Sequence, residues 1–259
     1  MMISDRSRLF ARSGRNIVPT AQGHALYEML HPLLANVVST FERLAETADR
    51  SSPHVSLVTG VRMMIEELGA PLRQFRKEYP GARMQLKTAD NATAQQYILH
   101  EQADLAFLIE PPQDVFANGI DYEVLYPLEY LVAFPPRHRL VNQPHFKLAD
   151  LSNEPLVIGS PDTIGRKQLD QARFRLGLKQ PLNIVAETDN SAITIACVRA
   201  GLGVGIIASR PDGHFTRSIK TRSISEEVGQ VNVVAAYRKG RQLTVALRYL
   251  ISTLRDTGP

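Results

Sequence analysis

Four short segments combine the residue types that bind small anions: Thr59-Gly60-Val61-Arg62, Ala89-Asp90-Asn91-Ala92, Gly159-Ser160-Pro161-Asp162-Thr163 and Thr188-Asp189-Asn190-Ser191. Each follows an apolar run and precedes a helical pattern, so each reads as a strand-to-helix turn. The first amides of a helix lack intrahelical acceptors and attract negative charge there. Arg62 would add a formal positive charge able to hydrogen-bond a carboxylate or phosphate. In α/β sheets ligands sit outside the carboxyl ends of the strands, which makes Gly60, Arg62, Asn91, Ser160, Thr163 and Asn190 the candidate pocket-lining residues. Ser, Thr, Asp and Asn at such turns are also ordinary helix caps, and for any one of them capping alone is the commoner role. Only the convergence of four turns argues for a pocket.

Other chemical patterns are missing. The sequence contains no GxxxxGK[ST] phosphate loop, no HExxH helix and no GxSxG elbow, and its seven histidines are dispersed without metal-ligand spacing. Gly201-Leu202-Gly203-Val204-Gly205 looks like a dinucleotide glycine run, but it follows a helical pattern and opens a strand, the reverse of what a pyrophosphate needs. Gly201 reads instead as a helix C-cap. Cys197, the single cysteine, lies on an apolar helix face and reads as structural. Glu66 and Glu67 are adjacent and should point in different directions, so they do not form a carboxylate pair. The expectation is therefore no catalytic residue, no metal, no cofactor and no enzyme.

The elements that would position those turns follow from periodicity. Leu26, Leu30, Leu33, Val37, Phe41, Leu44 and Ala48 are apolar at steps of three and four. They predict a long amphipathic helix with a narrow seam, suited to pairing with another helix, and Thr20 can cap its start. Beyond Pro53 strands are expected at 55–59, 82–88, 104–109, 122–134, 156–159, 182–187, 204–208 and 231–237. Helices are expected between most of them, at 63–79, 92–101, 165–176 and 190–201, with a last one at 243–254. Two such blocks imply two α/β lobes with parallel sheets.

The chain has 259 residues, with 30 Lys and Arg against 26 Asp and Glu, 44% apolar residues and no Trp, an ordinary globular composition. Residues 1–50 carry 6 basic and 5 acidic side chains, 51–209 carry 15 and 17, and 210–259 carry 9 and 4. The net charge of +4 is thus concentrated in the last fifth and in a small arginine cluster near the start. The sequence has no secretory signal pattern and no membrane-length apolar run, so a cytoplasmic protein with no membrane contact is expected.

An ordered set of motifs resembles LysR-type transcriptional regulators. It comprises Leu9-Phe10-Ala11-Arg12-Ser13-Gly14-Arg15, Val18-Pro19-Thr20-Ala21-Gln22-Gly23, Phe75-Arg76-x-x-Tyr79-Pro80-Gly81, Asp104-Leu105-Ala106, His138-Arg139-Leu140, Leu148-Ala149-Asp150-Leu151, Pro155-Leu156-Val157 and the 200–205 glycine run. The family's usual Thr-Pro is displaced, reading Pro19-Thr20-Ala21 here. The resemblance implies a remnant of a winged helix-turn-helix at 1–19 and a linker and dimerisation helix at 20–50. It further implies an effector-binding domain at 53–259, similar to type 2 periplasmic binding proteins, with lobes at 53–133 plus 233–259 and at 134–232. Only nineteen residues precede the linker, so the helix-turn-helix proper is expected to be missing and the wing to remain, with Arg12 and Arg15 contacting DNA phosphates. The six pocket residues become effector-binding, for a small anionic molecule, and Leu26, Leu30, Leu33, Val37, Phe41 and Leu44 become the dimer seam. Partners implied are the effector, DNA in the full-length form, a second copy in a dimer or tetramer, and RNA polymerase. Alternatives are a solute-binding protein of a transport system, an enzyme on the same scaffold, and a truncated sensor that does not bind operator DNA.

Overall fold

The computed structural model describes residues 8–48, 53–112 and 115–257. It begins with an antiparallel hairpin of β1 (Phe10–Ser13) and β2 (Asn16–Pro19), in register from Phe10 opposite Pro19 to Ser13 opposite Asn16. Gly14 makes the turn at φ 65°, a conformation that only glycine adopts at no steric cost. The expected cap is formed. The Thr20 hydroxyl accepts from the Gly23 amide at 3.1 Å and donates to the Arg8 carbonyl at 2.6 Å, joining the hairpin to α1 (Ala21–Ala48). A Cβ at position 23 would strike the Leu9 carbonyl, so the helix and the strand approach at a distance that glycine alone permits.

α1 is about 42 Å long at the usual helical rise. Its apolar seam lies open in the single chain, with Phe41 67% and Leu33 60% exposed. The helix touches the body through His31. Its Nδ1 accepts from Arg238 at 3.1 Å, and its Nε2 lies 3.6 Å from the Glu101 carboxylate.

The body is built on one sheet, joined by two shared strands. Parallel strands β3 (His54–Thr59), β4 (Arg83–Thr88) and β5 (Leu105–Ile109) form the first lobe, with β3 central. Parallel strands β7 (Leu156–Gly159), β8 (Ile184–Thr188) and β9 (Val204–Ser209) form the second, with β7 central. Between them run β6 (Ile120–Phe134), fifteen residues long, and β11 (Gln230–Arg238), antiparallel to each other from Arg238 opposite Ile120 to Gln230 opposite Glu129. The far end of β6 then pairs with β9 and with the short β10 (Lys220–Ser223). The expected all-parallel sheets are therefore parallel only toward their edges.

The helix expected at 63–79 with an interruption near Pro71 is two helices, α2 (Val61–Glu66) and α3 (Gly69–Glu78). The break falls at Glu67–Leu68, before Pro71, which occupies the first turn of α3, where its missing N–H has no acceptor to lose. α4 (Asn91–Leu99), α5 (Ile164–Arg175) and α6 (Ser191–Arg199) are the crossover helices. The one-turn α7 (Ser225–Val228), β10 and the 3₁₀ turns at Arg139–Asn142 and Leu148–Leu151 carry no periodicity long enough to read in sequence.

α8 (Val245–Thr257) returns to the first lobe and packs on α3, with Tyr249 edge-on to Tyr79 at 5.8 Å and Tyr79 tilted on Phe75 at 4.9 Å. Part of the charge of the basic last fifth is met within the fold. Arg241 pairs with Asp104 at 2.9 Å, and Arg248 and Arg255 converge on Glu123. Phe75 is fully buried between these elements. Phe75→Ala should lower the unfolding free energy by about 3–5 kcal/mol, checked by urea denaturation.

Candidate functional site

All four turns open into one cleft of about 1280 Å³ between the lobes. The turn β3–α2 brings Gly60 and Arg62, β4–α4 brings Asn91, β7–α5 brings Thr163 and β8–α6 brings Asn190. Ser160 is absent from the lining. Its hydroxyl and its amide both donate to the Thr188 carbonyl, so the residue ties β7 to β8 instead of facing the cleft. This corrects the expectation for Ser160.

The remaining polar side chains are engaged within the protein. Asp90, Thr163 and Asn190 cap their helices, accepting from the amides of Thr93, Arg166 and Ile193 at 2.8, 3.3 and 3.1 Å. Asn91 donates to the Ile109 carbonyl at 2.6 Å, pinning the start of α4 to the end of β5. Capping takes the third amide of each helix, while the first-turn residues Asn91, Ala92, Ile164, Gly165 and Ser191 line the cleft wall.

Arg62 departs furthest from expectation. Its guanidinium is 9% exposed and lies 2.5 Å from the Glu67 carboxylate, whose side chain is only 2% exposed. The charge expected to face an anion is compensated from within. The cleft's second arginine, Arg166, is likewise held by Asp170 and Glu187, at 2.9 and 3.2 Å. Among the described residues, Lys167 is the lining cation without an ionic partner.

Sequence reasoning missed the floor of the cleft, which belongs to the shared strands. Asn232 of β11 donates to Glu110 at 2.6 Å, and the Glu110 amide donates back to the Asn232 carbonyl at 2.8 Å. A polar Asn232 between Val231 and Val233 was the available signal. On β6, Tyr130 donates to Gln168, and burial raises its pKa so that the phenol stays protonated. Arg12 and Arg15 lie on the exposed hairpin, away from the cleft lining. Among the described residues no three His, Cys, Asp or Glu side chains are grouped to hold a metal, and no helix is long and apolar enough to cross a membrane.

Two α/β lobes joined by a pair of shared strands, with helix N-termini converging on the cleft between them, define a ligand-binding module of the type 2 periplasmic-binding-protein kind. The model of the LysR substrate binding domain matches residues 52–259, and the chain belongs to that family. A relative is the HTH-type transcriptional regulator SsuR of Burkholderia cenocepacia, 23% identical over 202 residues. That match covers 78% of this chain and 64% of SsuR, so the chain spans somewhat less than two thirds of that protein's length. Among solved structures, the cofactor-binding domain of the Cbl transcriptional regulator shares the fold at a TM-score of 0.70 and 19% identity, covering 82% of this chain and 90% of that one. The effector-binding domain of QuiR in complex with shikimate does so at 0.67 and 15%, covering 80% and 98%.

The caps are directly testable. Asn190→Ala should destabilise the protein by about 1 kcal/mol in a urea titration, the usual effect of losing an N-cap.

Proposed function

We propose that this chain is the effector-sensing and dimerising part of a LysR-type transcriptional regulator, binding a small anionic effector between its lobes and transmitting the event to the arrangement of subunits on DNA. The observation that carries the reading is the convergence of three capped helix N-termini on one cleft, each with first-turn residues in its wall. The QuiR domain, described with shikimate, supports a small organic acid as the kind of molecule held. With Arg62 paired to Glu67, Lys167 is the cation first available to it. The cleft also carries Asp90, Glu110, Asp162 and Asp189, so selectivity for an anion rests on amide placement and not on net charge.

In this reading 53–259 is the effector domain, with lobes dividing within β6 and within β11, and 20–50 is the dimer helix. Pairing α1 with a second copy would cover Leu26, Leu30, Leu33, Val37, Phe41 and Leu44, which the single chain leaves exposed. The hairpin fits a wing whose Arg12 and Arg15 contact phosphates, adding affinity without base specificity. Partners are then the effector, DNA, a second copy and, at a promoter, RNA polymerase, all in the cytoplasm.

A calorimetric screen of small carboxylates, sulfonates and phosphates should yield binders that weaken about tenfold in Lys167→Ala, the scale of one charge-assisted hydrogen bond. A screen in which only cationic or apolar compounds bind sinks the reading. By light scattering after size exclusion the protein should be a dimer or larger, and Leu33→Asp with Phe41→Asp should return it to a monomer.

A further inference from the structure

Five buried polar atoms without a protein partner belong to residues where α2 of the first lobe meets the 209–216 segment of the second: Glu66 Oε1, Glu67 Oε2, Tyr126 Oη, Ser209 Oγ and Arg210 Nε. Buried polar groups are normally paired, so a cluster of unpaired ones calls for a physical explanation. The neighbouring contacts show how the residues are arranged. The other oxygen of Glu66 accepts from the Phe215 amide at 2.8 Å, across the boundary between lobes. A Cβ at Gly213 would strike the Glu66 carboxylate, so the turn closes directly on α2. Tyr126, on β6, already stands against Glu67, close enough for a weak hydrogen bond, and within electrostatic reach of Arg62 and Arg210. Arg210 is loosely held, 3.6 Å from an exposed Asp212 and 3.4 Å from the Thr257 carbonyl at the end of α8.

Arg62 belongs to both places. It lines the cleft, and it is the ionic partner of Glu67. A carboxylate as buried as Glu67 is strongly destabilising if left alone, so Arg62 can leave only if another donor takes its place. Two donors without a well-formed hydrogen bond are already there: the Tyr126 hydroxyl on a shared strand, standing against Glu67, and Arg210 Nε on the second lobe, with only the long Asp212 contact to hold it.

We propose that Glu67 exchanges partners when an anionic group enters the cleft: the anion draws Arg62 away, and Glu67 closes on Tyr126 and Arg210. The exchange converts a contact within the first lobe into one between lobes, while Glu66 keeps the 213–215 turn in register. Two hydrogen-bond arrangements of one cluster form the discrete two-state element that a ligand can bias. Glu67 is a positioning residue in this scheme, setting how readily the cleft takes an anion. The trigger rests on the anion-binding reading of the cleft; the exchange itself does not.

The experiment has two arms, both on the whole chain. In the first, a double-mutant cycle of Glu67→Gln and Arg210→Met is measured by urea unfolding with Arg62 intact and again with Arg62→Met. Coupling between Glu67 and Arg210 should change the unfolding constant less than twofold with Arg62 present and at least tenfold without it. Equal coupling in both backgrounds, or none without Arg62, overturns the exchange. Should Arg62→Met not fold, Arg62→Gln serves in its place. The second arm uses inorganic sulfate against chloride at matched ionic strength. Glu67→Gln, with Arg62 released, should bind sulfate about tenfold more tightly than the unsubstituted protein, and equal affinity overturns the trigger. No sulfate binding in either protein overturns the trigger together with the anion reading, while the cycle still decides the exchange.

Discussion

The antiparallel pairing of β6 with β11 is the constraint on which everything else hangs. Nine residues of β11 are matched to β6 across a bulge at Val233 and Val234, and β6 then continues into the second lobe to pair with β9. Neither lobe has a complete sheet without these strands, so the lobes cannot be moved apart as independent bodies. The two strands lying side by side are the main covalent and hydrogen-bonded link between them, and the cleft lies on either side of that link. Polar residues on the same strands, Asn232 and Tyr130, form part of its lining, so the link between the lobes and the binding surface are one piece of backbone.

Much of this was legible in the sequence, because the relevant signals are local. Apolar periodicity located the crossover strands and helices, and Gly, Ser, Thr, Asp and Asn marked the turns, since a helix start needs a cap whatever else it does. The same logic limited the reading. Thr163 and Asn190 were recognisable as cap types, but sequence does not say whether a cap also reaches a ligand. Here the caps turn to their own helices, while the first-turn residues beside them line the cleft.

What sequence could not supply were contacts between distant segments. Arg62 looked like a free cation because its partner, Glu67, lies five residues on, past the end of α2 and off any helical spacing. Glu66 and Glu67 do take different partners, Phe215 and Arg62. That one of them grips a turn 149 residues away depends on how the lobes meet. The basic tail follows the same rule. Its charge reads as a local excess until Asp104 and Glu123, supplied by the first half of the chain, are placed beside Arg241, Arg248 and Arg255.

The interleaving also orders events in time. β5 ends at Ile109, and the strand that covers its open edge, β11, begins at Gln230. At translation rates of about 5–20 residues per second, that edge waits on the order of ten seconds for its neighbour. An uncovered strand edge is a template for pairing with another chain, and non-local strand pairing is slow to form. The arrangement that lets two lobes share a hinge thus leaves the first lobe unfinished until almost the last residue of the chain has been made.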